Sequence, residues 1–196
     1  MPVPHRPRVA VVVGSLSHGS INRKLALAWA KLAAPKLDFK IVEIGGLPLY
    51  DRELESPLPA AVAHFKQEIA SADAVLFLTP EYLRTIPAAL KNALEWGARP
   101  YGTNVWAGKP AAIAGATPGA IGTAVAQSHL RSIATILELI VISQPELYLQ
   151  LKADAIDASG EIVDEALKDL LARFDDVFAA WIERQSHQTL LAAANF

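Results

Sequence analysis

Apolar residues alternate along the chain between two rhythms, short unbroken runs rich in valine, isoleucine and alanine, and longer stretches where they recur every three or four positions. Arg8–Val13 (RVAVVV) is the first run and ends at Gly14. An unbroken β-branched run of this kind marks a strand buried on both faces, and therefore parallel pairing. Ile21, Leu25, Ala28, Trp29 and Leu32 then repeat at helical spacing over 21–34, with Ser20 where an N-cap belongs. The same alternation predicts strands over 38–44, 73–79, 109–116 and 140–149, the last broken by Pro145. Helices are predicted over 58–71, 87–98 (opened by proline) and 122–139. A final amphipathic helix over 161–184 follows from the stripe Ile162, Ala166, Leu170, Phe174, Val177, Phe178 and Trp181. Residues 45–59 form a long loop, because the elements on either side continue one pattern. Five strand–helix units predict a three-layer, doubly wound α/β fold around a five-stranded parallel sheet. The domain is expected over 8–185, with a loose arm at 1–7 and a frayed tail at 186–196.

The length of 196 residues suits one domain with a full-sized core. With 18 Lys+Arg against 20 Asp+Glu the net charge is −2, which gives no field to recruit nucleic acid or an anionic membrane surface. The apolar fraction of 52% is slightly high and suggests a face covered by another subunit. There are no cysteines, which removes thiolate catalysis and disulfides and suits a reducing, cytoplasmic compartment. The opening MPVPHRPR has no apolar core of the signal-peptide kind. Residues 110–130 carry no formal charge, yet Pro118 and three glycines interrupt them, so they read as a buried strand, a loop and a helix start.

Open parallel sheets bind ligands beyond the carboxyl ends of their strands, so the loops after strands one, three and four are the places to look for chemistry. The first runs Gly14-Ser15-Leu16-Ser17-His18-Gly19-Ser20-Ile21-Asn22. It offers three hydroxyls, an amide and helix N-terminal N–H groups, the composition of a phosphate cradle; the alternative is a capped turn. Arg23 and Lys24 stand in the first helical turn, where the macrodipole disfavours cations unless a bound dianion offsets the cost. Gly14 and Gly19 lie too far apart for a dinucleotide fingerprint, and the triphosphate motif is missing, so a single terminal phosphate fits better. Glu43, ending strand two, is either a ribose-binding acid or a solvated strand end. The second loop, Thr79 to Pro87, is stiffened by two prolines; Thr85 can cap the next helix, and Tyr82 packs beside a flat heterocycle or in the core. The third loop, Gly115 to Gly122, has small residues that allow close backbone approach.

Taken together, GSLSHGSIN, TPEYLRTIPAALKNALEW, ARPYG, GKPAAIAGATPGAIGTAVAQSHLR and QPELY resemble the NADPH-dependent FMN reductase family, in its quinone and chromate reductase branch. The resemblance implies a flavodoxin-like fold with strand order 2-1-3-4-5. It implies that Ser15, Ser17, Ser20 and Asn22, with Ile21 between them, hold the FMN phosphate. Pro80, Glu81, Tyr82 and Leu83 would line the isoalloxazine, and Thr117, Pro118 and Gly119 would meet its other edge. Arg99 and Tyr101 resemble residues that reach a neighbouring subunit's flavin pocket, so a homodimer or homotetramer is expected. Two positions depart from the pattern: Ser17 stands where arginine is usual, which removes a charge-assisted phosphate contact, and Leu83 replaces a usual asparagine.

The activity implied is hydride transfer from NADPH or NADH to FMN, then electron transfer to quinone, chromate, ferric, azo or nitro acceptors in a ping-pong cycle. Such chemistry needs neither metal nor nucleophile from the protein. The five histidines, His5, His18, His64, His129 and His187, show no ligand spacing. Glu53 and Glu55, like Asp175 and Asp176, read as polar surface. The rival from another class is a flavodoxin-type electron carrier, which the near-neutral charge disfavours because it leaves no acidic docking face. A phosphorylated receiver domain is excluded, since strand three ends in Thr79 rather than aspartate. Leu90, Ala93, Leu94 and Trp96, with Trp106, form either core or a partner-facing aromatic surface.

Overall fold

Strand β1 (Arg8–Val13) lies at the centre of a parallel sheet, with β2 (Asp38–Val42) on one side and β3 (Ala74–Leu78) on the other. Val11 of β1 stands opposite Ile41 and Leu76 in register. Next to β3 runs β4 (Pro110–Thr117). The predicted fifth strand is two segments on the outer edge of β4: β5 (Ile140–Val141) pairs with its start and β6 (Leu147–Gln150) with its end. The break spans Pro145, which has no N–H to give to a ladder. The sheet order is β2-β1-β3-β4-β5, with β6 also on β4, so the flavodoxin-like topology holds. This is a computed structural model that describes the backbone of residues 6–194 and the side chains of residues 6–186. His5, the first five residues of the arm and the last two of the tail lie outside the described residues, as does the His187 side chain.

Strand β3 is buried from end to end and β1 from Val9 to Val13, as their unbroken apolar runs require. Helices α1 (Ile21–Ala33) and α5 (Glu165–Ala194) cover one face, where Trp29 packs edge-on against Phe39 and Phe174. Helices α2 (Ala60–Ala70), α3 (Ala88–Ala98) and α4 (Ala124–Ile136) cover the other. Ser20 caps α1 as expected, accepting from the Arg23 N–H at 3.2 Å. Helix α5 starts at Glu165 and not at 161, because Ile156 and Ile162 bridge and Asp164 caps the helix by accepting from Leu167 N–H. It continues to Ala194, so the backbone beyond Gln185 is helical where the sequence suggested fraying.

One alternative is resolved and two expectations need correction. Of the two readings of Trp96 and Trp106 the core one holds, since both are fully buried, the first against Tyr50 and the second against Phe65 and Phe77. Asp175 is not polar surface: it is buried under α1 and accepts a hydrogen bond from Trp29 Nε1 at 2.8 Å. Burial pushes its carboxyl up to about 7, although the Trp29 bond and the Lys36 charge pull the other way. Glu55 likewise turns inward, onto Tyr50 and Arg99. Among the described residues no helix is long and apolar enough to cross a membrane, and 110–130 is strand, loop and helix.

Candidate cofactor-binding site

The carboxyl ends of β1, β3 and β4 are bound to one another: Gly14 N–H donates to Leu78 O, and Thr79 N–H donates to Ala114 O. The three loops that leave these ends meet around a cleft of about 210 Å³. It brings together Ser15, Ser17, Ser20, Ile21 and Asn22 from the first loop, Pro80, Glu81 and Tyr82 from the second, and Thr117 and Pro118 from the third. Four residues singled out with them do not line it: Leu83, Gly119, Arg99 and Tyr101.

On the first loop the N–H groups of Ile21 and Asn22 open a helix and have no intrahelical carbonyl to reach, so they and the Ser20 hydroxyl face the cleft side of the cap. Ser17 is exposed, whereas Ser15 is buried and already engaged. Its Oγ pairs with Tyr82 Oη at 3.1 Å and accepts from Ser17 N–H at 3.4 Å. The Asn22 amide is turned away from any ligand: it donates to Ala116 O and accepts from Ala116 N–H, both at 2.9 Å, which ties α1 to the end of β4. Neither cation of this turn waits for a dianion, because Arg23 grips Glu43 with two bonds of 3.1 and 2.6 Å and Lys24 donates to Ile156 O. Glu43 is thus paired, not a free strand end.

On the second loop, Tyr82 and Thr85 exchange both backbone hydrogen bonds at 3.0 Å, closing a tight turn with Leu83 and Arg84 at its tip. Both tip residues adopt positive φ, 49° and 63°, the pattern of a type I′ turn built without glycine or asparagine. Leu83 is 99% exposed. Glu81 points the other way: its Oε2 accepts from Val125 and Ala126 N–H, capping α4. Thr85 caps no helix; its hydroxyl meets His129 Nδ1 at 3.0 Å, and Pro87 stands at the N-cap of α3.

The third loop shows why its small residues are needed. A Cβ on Gly115 would lie 2.0 Å from Thr123 Oγ1 and 2.3 Å from Thr79 O, so only glycine lets the ends of β3 and β4 and the start of α4 close together. The cleft therefore offers hydroxyls, backbone N–H groups and one phenol, while the single carboxylate of its walls is spent on α4. Such a set suits a phosphate at the α1 end and a flat heterocycle between the other two loops.

Arg99 and Tyr101 sit past the end of α3, held by residues distant in the chain. Arg99 Nε donates to Glu55 Oε1 at 2.7 Å and to Tyr50 Oη at 3.1 Å, which holds the side chain from within its own chain. The Lys66 ammonium donates to the carbonyls of Trp96, Gly97, Arg99 and Thr103 and to the Thr103 hydroxyl, capping α3 and fixing this loop. Burial lowers its pKa to about 8. Tyr101 is left 90% exposed. An isolated lysine in α2 carries no motif, so no sequence signal could have found this cap.

Residues 7–154 match the family described as NADPH-dependent FMN reductase. A 2-hydroxy-1,4-benzoquinone reductase from Burkholderia sp is 50% identical over 175 residues, covering 89% of this chain and 96% of that protein. A quinone reductase from Pseudomonas putida is 45% identical over 176 residues, 89% of this chain and 94% of that one. Among solved structures, the flavoenzyme NAD(P)H:(acceptor) oxidoreductase FerB from Paracoccus denitrificans superposes with a TM-score of 0.88 at 44% identity, covering 91% of this chain and 98% of that one.

Proposed function

The chain belongs to the NADPH-dependent FMN reductase family, and from that premise we propose that it passes electrons from a nicotinamide to quinones by a ping-pong cycle in one open cleft. It is an NAD(P)H-dependent oxidoreductase with FMN as its flavin, and the flavodoxin-type carrier reading gives way to an enzyme. The observation that carries the finer reading is the meeting of three loops on one cleft whose free groups are hydroxyls and N–H donors. Bound FMN supplies the redox chemistry, accepting hydride and returning electrons.

The chain's own part is binding and orientation. The hydroxyls of Ser17 and Ser20, with the Ile21 and Asn22 N–H groups, hold the phosphate, and Ser15 acts through Tyr82. Pro80 to Tyr82 and Thr117 to Pro118, which line the cleft, flank the ring, with the Tyr82 phenol held by Ser15. Quinones lead the acceptors because the relatives are quinone reductases. Chromate, ferric, azo and nitro compounds are the further acceptors of this reading.

The protein works in the cytoplasm as a homodimer or homotetramer, with Tyr101, 90% exposed on a loop fixed by Lys66, reaching a neighbouring subunit. Light scattering at micromolar concentration is expected to give at least twice the 21.0 kDa chain mass; a monomer overturns this part. The central test is stopped-flow mixing of FMN-loaded protein with NADPH or NADH, followed by a benzoquinone. Bleaching of the flavin and its return on adding quinone are expected. A flavin that stays oxidised with both nicotinamides refutes the function.

A further inference from the structure

A second recess, about 460 Å³, lies on the far side of the first loop, beyond the ends of β1 and β2. Its floor is apolar, made by Val42 and Ile44, both buried, and Leu16, 56% exposed. Over this floor stands the Arg23–Glu43 pair, joined by bonds of 3.1 and 2.6 Å with side chains 39% and 66% exposed. Gly45 lies at the edge of the recess beside the Leu16 side chain. Ser15 and Ser17 line both this recess and the cofactor cleft, so the two adjoin.

The chemistry narrows what fits. Two guanidinium N–H groups are used on Glu43, leaving three donors, and the carboxylate keeps unused lone pairs. A second anion here would face the Glu43 carboxylate, and a purely apolar guest would desolvate an ion pair without replacing its water, which is costly. A vicinal diol attached to a flat apolar base satisfies both halves, because hydroxyls donate to the carboxylate and accept from the guanidinium while the base covers the floor.

We propose that this recess binds the adenosine end of the nicotinamide dinucleotide, with Glu43 accepting from the ribose hydroxyls. The proposal rests on the reading of the protein as a nicotinamide-dependent reductase. Glu43 is thereby a specificity-determining residue, since a 2′-phosphate removes one hydroxyl of the diol and brings negative charge to the carboxylate. Loss of Glu43 frees Arg23 to meet that phosphate.

The test is Glu43→Ala in the FMN-loaded protein, a change at an exposed side chain. Calorimetric titration with ADP-ribose is expected to show binding to the parent protein and roughly 10-fold weaker binding to the variant, the loss of a charged hydrogen bond. The KM for NADH is expected to rise by a similar factor at unchanged kcat, the kcat/KM ratio of NADPH over NADH to rise about 10-fold or more, and the Kd for FMN to stay constant. Equal ADP-ribose affinity and an unchanged NADPH/NADH ratio overturn the proposal while leaving the reductase reading intact. Failure of the parent protein to oxidise either nicotinamide overturns the reductase reading itself, whatever ADP-ribose does.

Discussion

Leu83→Asn is expected to stabilise the protein, which is unusual for a change beside a proposed site. The Tyr82–Thr85 turn holds Leu83 at φ 49° and Arg84 at φ 63°. Left-handed backbone costs an ordinary side chain about 1–2 kcal/mol per residue, and asparagine relieves part of it through its short polar side chain. Leu83 is 99% exposed, so its removal forfeits no burial. The expected gain is about 1 kcal/mol, or a rise in Tm of roughly 2–4 °C for a chain of this size. Arg84→Gly makes an internal control. It relieves the same strain but loses an exposed ion pair to Glu81 at 3.4 Å and adds glycine's entropy in the unfolded chain, so its net effect is about zero. Urea unfolding of the three proteins at one FMN concentration, with equal m-values, measures both. A Leu83→Asn protein no more stable than its parent, or less stable, shows that the turn carries no strain.

Other perturbations separate holding the fold from holding the ligand. Asn22→Ala removes both 2.9 Å bonds to Ala116 and leaves that buried peptide unpaired, so urea unfolding is expected to report a loss of about 2–4 kcal/mol. A loss of FMN affinity at intact stability places the amide on the ligand instead. Asp175→Asn keeps the acceptor for Trp29 and tests the raised carboxyl. With a folded pKa of about 7 above the unfolded value of about 4, the native state holds a proton that the unfolded chain releases, so the parent loses stability as pH rises from about 4 to about 7. The variant is expected to match the parent near pH 4 and exceed it by about 1–3 kcal/mol at pH 8; parallel stability-versus-pH curves refute this. Gly122→Ala puts a Cβ 2.4 Å from the Tyr148 carbonyl carbon at φ +59°, and a drop in Tm of several degrees is expected by calorimetry.

Periodicity revealed the sheet because the strands that matter are buried on both faces, and burial on both faces writes an unbroken apolar run. Ser20 was legible for a similar reason, since a cap is a local bond between near neighbours. What stayed hidden depends on residues far apart in the chain. Nothing in the sequence says that Asn22 would be taken by Ala116, that Glu81 would cap α4 or that Lys66 would cap α3. Asp175 was misread because a pair of aspartates on a helix resembles surface, and only the Trp29 indole across the helix interface explains its burial. The second recess shows a partial signal: the place of Glu43 at the end of a strand is legible, but its bond to Arg23 exists only in three dimensions.

The residues spent on the fold also bear on how the proposed site works. Ser15 joins the first loop to the second, Asn22 joins α1 to β4, and Glu81 joins the second loop to α4. Each bond spans at least 44 positions, so the loops are set relative to one another before any ligand arrives. A cradle ordered in advance gives up little entropy on binding, which favours a firmly held cofactor even though Ser17 supplies no guanidinium. The tip of the second loop is the opposite case, with Leu83 standing free in solvent and making no contact that shapes an acceptor. Selectivity for a molecule comes from groups left unpaired when the wrong one binds, and a bare leucine leaves none. On the proposed reading, the second loop therefore joins two roles, a fixed end tied down by Ser15 and Glu81 for the flavin and an exposed tip that places no demand on the acceptor.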